Sequence, residues 1–368
     1  MAAISTIIQI CCGRLDGPRP KQAIALDMFG GYFEAWRLLD FIHDTSLDIR
    51  HLRSNGEIIE RVKTGATDAM IIEPVAYDWE MTVFDHQAFV DSWMEYEGKR
   101  PRVLIFDTSL TGHKYRIDKL LTDLSDAPPW LIINIRSGLK LDQEGLELAN
   151  VGIVDLYSLK EKSPSNLQEL KKKLITARAV MGAGLGLNDS SALEAPWFLN
   201  RQRFKNYGEI IFRNNKLLAR TINNTGGMFS RISHPALEKL HHLDWAIAPF
   251  VVFHLAEDSS GNHGFLVAVL VHEVKHRGLE FTLGSSFGFR GHRFEVIRSM
   301  AHLPPNSGQT GLLKVAMGLR EGPSLEGVID LLNEIAAYEN FAALRAAYPH
   351  IKAYLKDSSG VYAERPPR

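Results

Sequence analysis

Between residues 21 and 156, short apolar runs alternate with segments of helical periodicity, and few architectures accept that order. The runs cover residues 22–26, 47–52, 68–72, 102–106, 130–135 and 152–156. Residues 32–42, 84–93 and 116–124 fall between them and space their apolar side chains as one face of a helix does. Strand, helix and strand in succession form the unit of a mostly parallel sheet covered by helices. In such sheets ligands gather at the carboxyl ends of the strands. Met28, Glu73 and Asp107 are expected at those ends.

The pattern changes after Gly182-Ala-Gly-Leu-Gly186, which reads as a flexible break. It is not a dinucleotide loop, because the spacing is not G-x-G-x-x-G and no strand precedes it. Residues 196–222 read as a long amphipathic helix bridging two domains. Beyond it, His241-His242 reads as an ordinary helix end. Residues 248–255, 264–271 and 312–317 look like strands, and 324–338 with 341–348 like a final helical pair. The expected organisation is a large α/β domain over 1–190, a linking helix over 191–222 and a smaller α+β domain over 223–368. The tail 357–368 is expected to be loose.

Composition supports this and narrows the partners. With 368 residues, 45% of them apolar, the chain can build cores for two domains. A formal net charge of −1 gives no attraction for a polyanion, and no basic block interleaves with aromatics as nucleic-acid binding requires. Lys171-Lys172-Lys173 reads as a solvated helix face. The two cysteines, Cys11 and Cys12, are adjacent in an apolar stretch, which suits buried thiols in a reducing compartment better than a disulfide. No apolar run approaches the ~18 residues of a membrane span, and no signal-peptide pattern opens the chain. A soluble, cytoplasmic protein without nucleic-acid or membrane partners is expected.

Two polar residues stand out against the apolar runs. Asp107 ends Arg102-Val-Leu-Ile-Phe-Asp107, and Lys140 follows Trp130-Leu-Ile-Ile-Asn-Ile-Arg-Ser-Gly-Leu-Lys140. On neighbouring strands they would share one edge of the sheet. A carboxylate keeps a pyridine nitrogen protonated, which makes the ring an electron sink, and a lysine amine forms an imine with an aldehyde. The pair therefore reads as the two anchors of a pyridoxal 5′-phosphate (PLP) site. Each also has a plainer reading. Asp107-Thr-Ser favours turns, and Lys140 can be a surface lysine. Ser137 can be a helix N-cap, a role compatible with holding phosphate because both use free N–H groups at a helix start.

Further motifs, in order, resemble the cysteine/methionine-metabolism family of PLP enzymes, which includes cystathionine γ-synthase and methionine γ-lyase. Met1-Ala-Ala-Ile4 resembles the end of that family's phosphate loop, and Phe29-Gly30-Gly31-Tyr32 its Tyr-Gly-Gly-Thr segment. Glu73-Pro74 resembles Glu-(Ser/Thr)-Pro, Asp107-Thr108 resembles Asp-Asn-Thr, and Ser137-Gly-Leu-Lys140 resembles Ser-Ala-Thr-Lys. Gly311-Leu-Leu-Lys-Val-Ala-Met-Gly318 resembles Gly-Leu-Val-Arg-Leu-Ser-Val-Gly. The resemblance implies a fold-type I α/β/α sandwich with a mostly parallel sheet and a smaller C-terminal α+β domain. It implies PLP held covalently by Lys140, with Asp107 on the ring nitrogen, Phe29 stacked on the ring beside Gly30, and Ser137 and the Met1 loop on the phosphate. It implies a substrate carboxylate on Lys314, for which Arg290 is the alternative partner, and a homodimer or homotetramer. The reaction implied is elimination or replacement on a β- or γ-substituted amino acid.

The departures bear on the chemistry. The chain opens inside the phosphate loop, without the family's preceding Ser-Gly and N-terminal arm. Phe29 keeps a ring but has no phenol, Lys314 gives a point charge where a guanidinium would give two hydrogen bonds, and Leu139 stands beside Lys140 where the family has Thr. Tyr77 or Asp78 falls where the family has Asn. A non-catalytic or cofactor-poor relative acting as a structural or partner subunit is therefore the second reading. The third is a zinc hydrolase, because His272-Glu273-Val-Lys-His276 has H-E-x-x-H spacing, with Glu295 a candidate third ligand. Against it, the β-branched residues 265–271 look like a strand, Lys275 brings positive charge, and Gly278 leaves a helix little room, so a polar turn is expected there.

Overall fold

The computed structural model describes residues 1–11, 23–30, 32–42, 47–158, 163–223, 227–297 and 310–354. Cys12, Gly31, the start of the run at 22–26 and the tail at 357–368 lie outside the described residues. The chain divides into two units. The first comprises Met1–Gln143, Glu147–Phe204 and Leu240–Ala246; the second takes in Glu144–Leu146, Lys205–Lys239 and the chain from Ile247 onward.

In the first unit the order is α1 (Ala2–Cys11), β1 (Ile24–Phe29), α2 (Phe33–Ile42), β2 (Leu47–Leu52), α3 (Asn55–Thr64) and β3 (Ala69–Ile72). It continues through α4 (His86–Glu95), β4 (Val103–Asp107), α5 (Ile117–Asp123), β5 (Leu131–Ser137), β6 (Gly152–Tyr157), α6 (Ser163–Val180) and α7 (Leu187–Leu193). The sheet order is β2-β1-β3-β4-β5-β6, and every neighbouring pair is parallel except β5 with β6. β3 and β4 are apolar and buried along almost their whole length, as strands covered on both faces must be.

Strand alternation assigns the two faces. The row Leu26, Met28, Ile71, Ile105, Ile133 and Ile135 packs against Ile4, Ile7 and Ile8 of α1, Leu39 of α2 and Leu170 of α6. The alternate row carries Asp27, which takes an ion pair of 2.7 Å from Arg61 of α3, and the aromatic residues Phe29 and Phe106. These two rings meet Phe84, which in turn packs on Phe89 of α4. Helices therefore cover both faces of a mostly parallel sheet, the layering expected from the sequence.

α3 is absent from the sequence reading, although its signals are present. Ser54 caps it by accepting from the Glu57 N–H at 3.2 Å, Glu57 accepts in return from the Arg53 N–H at 3.1 Å, and Gly65 ends it at φ 63°. α1 is likewise a helix where the sequence suggests a loop and an apolar stretch.

The second unit contains α8 (Arg201–Thr221) from Lys205 onward, β7 (Phe229–Ser233), β8 (Val251–Leu255), α9 (Ser260–Arg277), β9 (Phe281–Leu283), β10 (His292–Ile297), β11 (Leu312–Ala316), α10 (Pro323–Ala336) and α11 (Phe341–Ala347). Its sheet has the order β7-β8-β11-β10-β9 and is antiparallel except between β9 and β10. One core joins Phe253, Phe265, Val269, Phe294, Val315, Val328 and Leu332.

Several expectations are corrected in this half. Residues 264–271 are helical, inside α9, because Ser259 caps the segment through the Asn262 N–H and its apolar residues bury all round against the sheet and α10. Gly278 is the left-handed stop of that 18-residue helix, at φ 65°, and not a sign of too little room. The bridging helix begins at Arg201, since residues 196–199 form turns. In the first unit, His241 and His242 stand in a turn, not on a helix end.

Candidate active site

Asp107 and Ser137 end adjacent parallel strands, and alternation points both to the face covered by α1, α2 and α6, since Asp107 pairs with Ile135. Ser109 joins them. Its N–H donates to Asp107 Oδ1 at 2.9 Å, and its hydroxyl accepts from the Ser137 N–H at 2.8 Å. Burial pushes the Asp107 carboxyl up, while the Ser109 hydrogen bonds and, more weakly, the amino group at Met1 pull it down. Among the described residues no side-chain cation pairs with Asp107. A partly desolvated carboxylate is costly unless hydrogen bonds or a cation complete it.

Lys140 follows three residues after Ser137, in a turn that Gln143 closes. The buried Gln143 amide donates to the Gly138 and Ala149 carbonyls at 2.8 and 2.6 Å and accepts from the Ala149 N–H at 2.9 Å. Lys140 Nζ forms an ion pair with Glu147 Oε1 at 3.0 Å, and Glu147 is held in the left-handed region at φ 48°. Behind this turn, Arg136 bonds Asp142 and Asp155, and Asn134 links Asp155 to Thr108.

Phe29 is not brought to Asp107. It lies on the alternate row, 1% exposed, with its ring 6.4 Å from Phe84, because one residue along a strand reverses the direction of the side chain. The ring on the Asp107 side is Tyr32, which packs against the core on that face. Gly30 sits against Glu73: a Cβ there would lie 2.5 Å from the Glu73 Cδ. Glu73 Oε1 accepts from the Tyr32 N–H at 3.3 Å, and Oε2 from the Tyr77 N–H at 2.6 Å. Asp78 folds its own loop, accepting from the Glu80 and Thr82 N–H groups and from the Thr82 hydroxyl, and burial pushes its carboxyl up to about 6. Ser109, Tyr32 and Gln143 are absent from the sequence reading as site residues. Ser109 has a signal, its place two residues after Asp107; the other two depend on folded loop geometry.

In the second unit Lys314 is buried in β11 beneath Phe250, 5.5 Å from the ring centroid, and pairs with Glu295 of β10. Burial pulls its amine down, and the Glu295 carboxylate opposes this. Arg290 is half exposed, with contacts of 3.4 and 3.5 Å to Glu144. His272 and His276 share one side of α9 with nearly parallel rings, 6.3 Å apart. Glu273 is buried and bonded to Arg277 at 2.8 Å, so it is not a free base. Among the described residues no group of three histidine, cysteine or acidic side chains is placed to hold a metal ion. No described helix is long and apolar enough to cross a membrane.

No family model matches the sequence, and no curated protein matches it. Solved structures do match in fold. Cystathionine γ-synthase from Xanthomonas oryzae pv. oryzae, in complex with cystathionine, superposes with a TM-score of 0.60 at 14% identity, over 91% of this chain and 79% of that one. The methionine γ-lyase CalE6 from Micromonospora echinospora gives 0.62 at 16%, over 91% and 80%. MetB from Corynebacterium glutamicum gives 0.59 at 13%, over 91% and 79%. At these identities the likeness is one of fold: the chain has the fold-type I architecture, a mostly parallel α/β sheet with a second, smaller sheet domain.

Proposed function

We propose that this chain is a PLP-dependent enzyme that acts on an amino acid substituted at its β or γ carbon, by elimination or replacement. The observation that carries the reading is Asp107: a partly buried carboxylate at a strand end, oriented by Ser109 and without a cationic side chain among the described residues. A protonated pyridine nitrogen would pair with such a group. Ser137, on the same face and joined to Asp107 through Ser109, would take the phosphate, with the amino end of α1 as its partner. Lys140 would hold the cofactor covalently.

When bound, the cofactor supplies an electron sink for negative charge at the substrate Cα. Asp107 would keep the ring nitrogen protonated, and Lys140 Nζ, once displaced by the substrate amine, would move the proton at Cα. Lys140 must leave Glu147 before its amine can act. For the substrate carboxylate Arg290 is the better donor. Lys314 is already neutralised by Glu295, whereas the 3.4–3.5 Å contacts of Arg290 are loose. A homo-oligomer in a reducing, cytoplasmic setting is part of this proposal.

A second reading has support of its own. Both lysines that would face cofactor and substrate, Lys140 and Lys314, are held by carboxylates of this chain. A relative that keeps the fold as a structural or partner subunit would tolerate that. The absorption spectrum separates the two readings. An enzyme should develop a visible band on adding PLP, weakened about tenfold or more in affinity by Asp107→Asn, given the worth of a charge-assisted contact. A protein that stays colourless at millimolar PLP overturns the enzyme reading.

A further inference from the structure

Gly30, Glu73, Tyr32 and Tyr77 form an arrangement that the proposed chemistry does not use. Glu73 is 4% exposed, yet it carries a carboxylate. Its two oxygens each accept a backbone N–H from a different loop: Tyr32, after β1, at 3.3 Å, and Tyr77, after β3, at 2.6 Å. The approach is so close that any side chain at position 30 must displace Glu73, since a Cβ would lie 2.5–2.7 Å from three Glu73 atoms. The Tyr32 carbonyl accepts the Ala35 and Trp36 N–H groups that open α2, and Trp36 Nε1 donates to the Gly30 carbonyl at 3.0 Å. Between the two loops, the Tyr32 and Tyr77 rings meet edge to face, 5.7 Å apart at 90°.

We infer that Glu73 is a positioning residue that ties the loop after β1 to the loop after β3, and that the ring it thereby fixes on the Asp107 face of the sheet, Tyr32, is the one that takes the face of a planar heteroaromatic ligand in place of Phe29. The tie stands on the geometry alone; the ring assignment rests on the PLP reading. Two observations favour Tyr32. The Phe29 ring is committed to the Phe84 cluster on the alternate face, whereas Tyr32 is only half buried and packs against the core on the Asp107 face. Burial and Glu34 hold the Tyr32 phenol protonated far above its ordinary range, so it serves as a ring and a hydroxyl donor, bonded to Glu34 Oε2 at 2.8 Å, and not as a base. An edge-to-face partner restricts the ring without covering both its faces, which suits a stacking platform.

The tie is tested without cofactor, by residue-resolved amide hydrogen exchange. Glu73→Gln leaves one amide NH2 facing an N–H, and Gly30→Ala pushes the carboxylate away from the other side. Each should speed exchange at Tyr32 and Tyr77 about tenfold or more, the scale of one lost charge-assisted hydrogen bond, while Ile105 in β4 stays protected. Unchanged protection at both tyrosines in both variants overturns the tie. The ring is tested by PLP titration followed by circular dichroism of the bound cofactor. Tyr32→Ala should weaken binding about tenfold and diminish the cofactor band, Tyr32→Phe should restore both, and Phe29→Leu should lower thermal stability with a smaller effect on the band. If Phe29→Leu abolishes the band and Tyr32→Ala does not, the ring assignment is overturned. If wild-type protein binds no PLP, both the PLP reading and the ring assignment fail, and hydrogen exchange still decides the tie.

Discussion

At position 314 a lysine occupies the middle of a buried strand, and its cost is met by one neighbour. Lys314 is 3% exposed while the Glu295 side chain retains 18%, so the two partners are not equivalent. Glu295→Gln strands a charge in the core and is expected to lower unfolding stability by about 3–5 kcal/mol. Lys314→Met leaves a carboxylate that reaches water, and should cost clearly less. Denaturant titration of the two variants measures this difference, and equal losses would show that the burial asymmetry is not felt. Asp78 offers a second test. Its carboxyl is raised by burial from 3.8 to about 6, so the folded protein holds the proton more tightly than the unfolded chain does. The stability it contributes is therefore complete below about pH 4 and is lost as pH rises through about 6. Subtracting the pH profile of Asp78→Asn should reveal a fall over that interval; a flat difference would contradict the shift. Neither partnership is legible in the sequence. There Lys314 reads as a carboxylate ligand and Glu295 as a possible metal ligand, because their pairing depends on the register that sets 295 opposite 314. Asp107 and Lys140 are legible as polar residues after apolar strands, but the carboxylate that holds Lys140 and the serine that joins Asp107 to Ser137 come from loop closure.

Elements are legible where periodicity is long and regular. β1 to β6 match their apolar runs within a few residues, and α2, α4 and α5 match the helical segments between them. α9 reads as a strand because Phe265–Val271 is apolar throughout, and a continuous apolar run does not distinguish a buried strand from a buried helix. The caps Ser259 and Gly278 resolve that ambiguity. Packing gives α9 a property that helix propensity alone would not suggest. Gly264 lies inside the helix, and a Cβ there would stand 2.2 Å from the Tyr354 carbonyl oxygen. Alanine is favoured over glycine in a helix by about 1 kcal/mol. Gly264→Ala should nevertheless destabilise the protein, because the Tyr354 backbone must move away and strain its 3.0 Å N–H bond to the Gly264 carbonyl. A thermal midpoint that rises in this variant would refute the close approach. β9 and β10 escape the sequence reading for different reasons: β9 has only three residues, and β10 alternates buried apolar with half-buried charged positions, a signal present but weaker than a continuous run.

At the scale of the whole molecule, the order of strands and helices is sufficient to identify the α/β layering, and the ordered short motifs are sufficient to suggest the architecture found in solved structures at 13–16% identity. What sequence order does not encode is direction and face: β6 runs antiparallel, and Phe29 faces away from Asp107. The fold thus supplies a sheet edge with a carboxylate that no described side-chain cation pairs, and the proposed activity depends on Lys140, three residues after the neighbouring strand end at Ser137. The most direct test is to incubate the protein with one equivalent of PLP, reduce with borohydride, and map the modified peptide by mass spectrometry. A pyridoxyl group is expected on Lys140, and it should be lost in Lys140→Ala. A label on another lysine that persists in Lys140→Ala, or no label on wild-type protein, would contradict it.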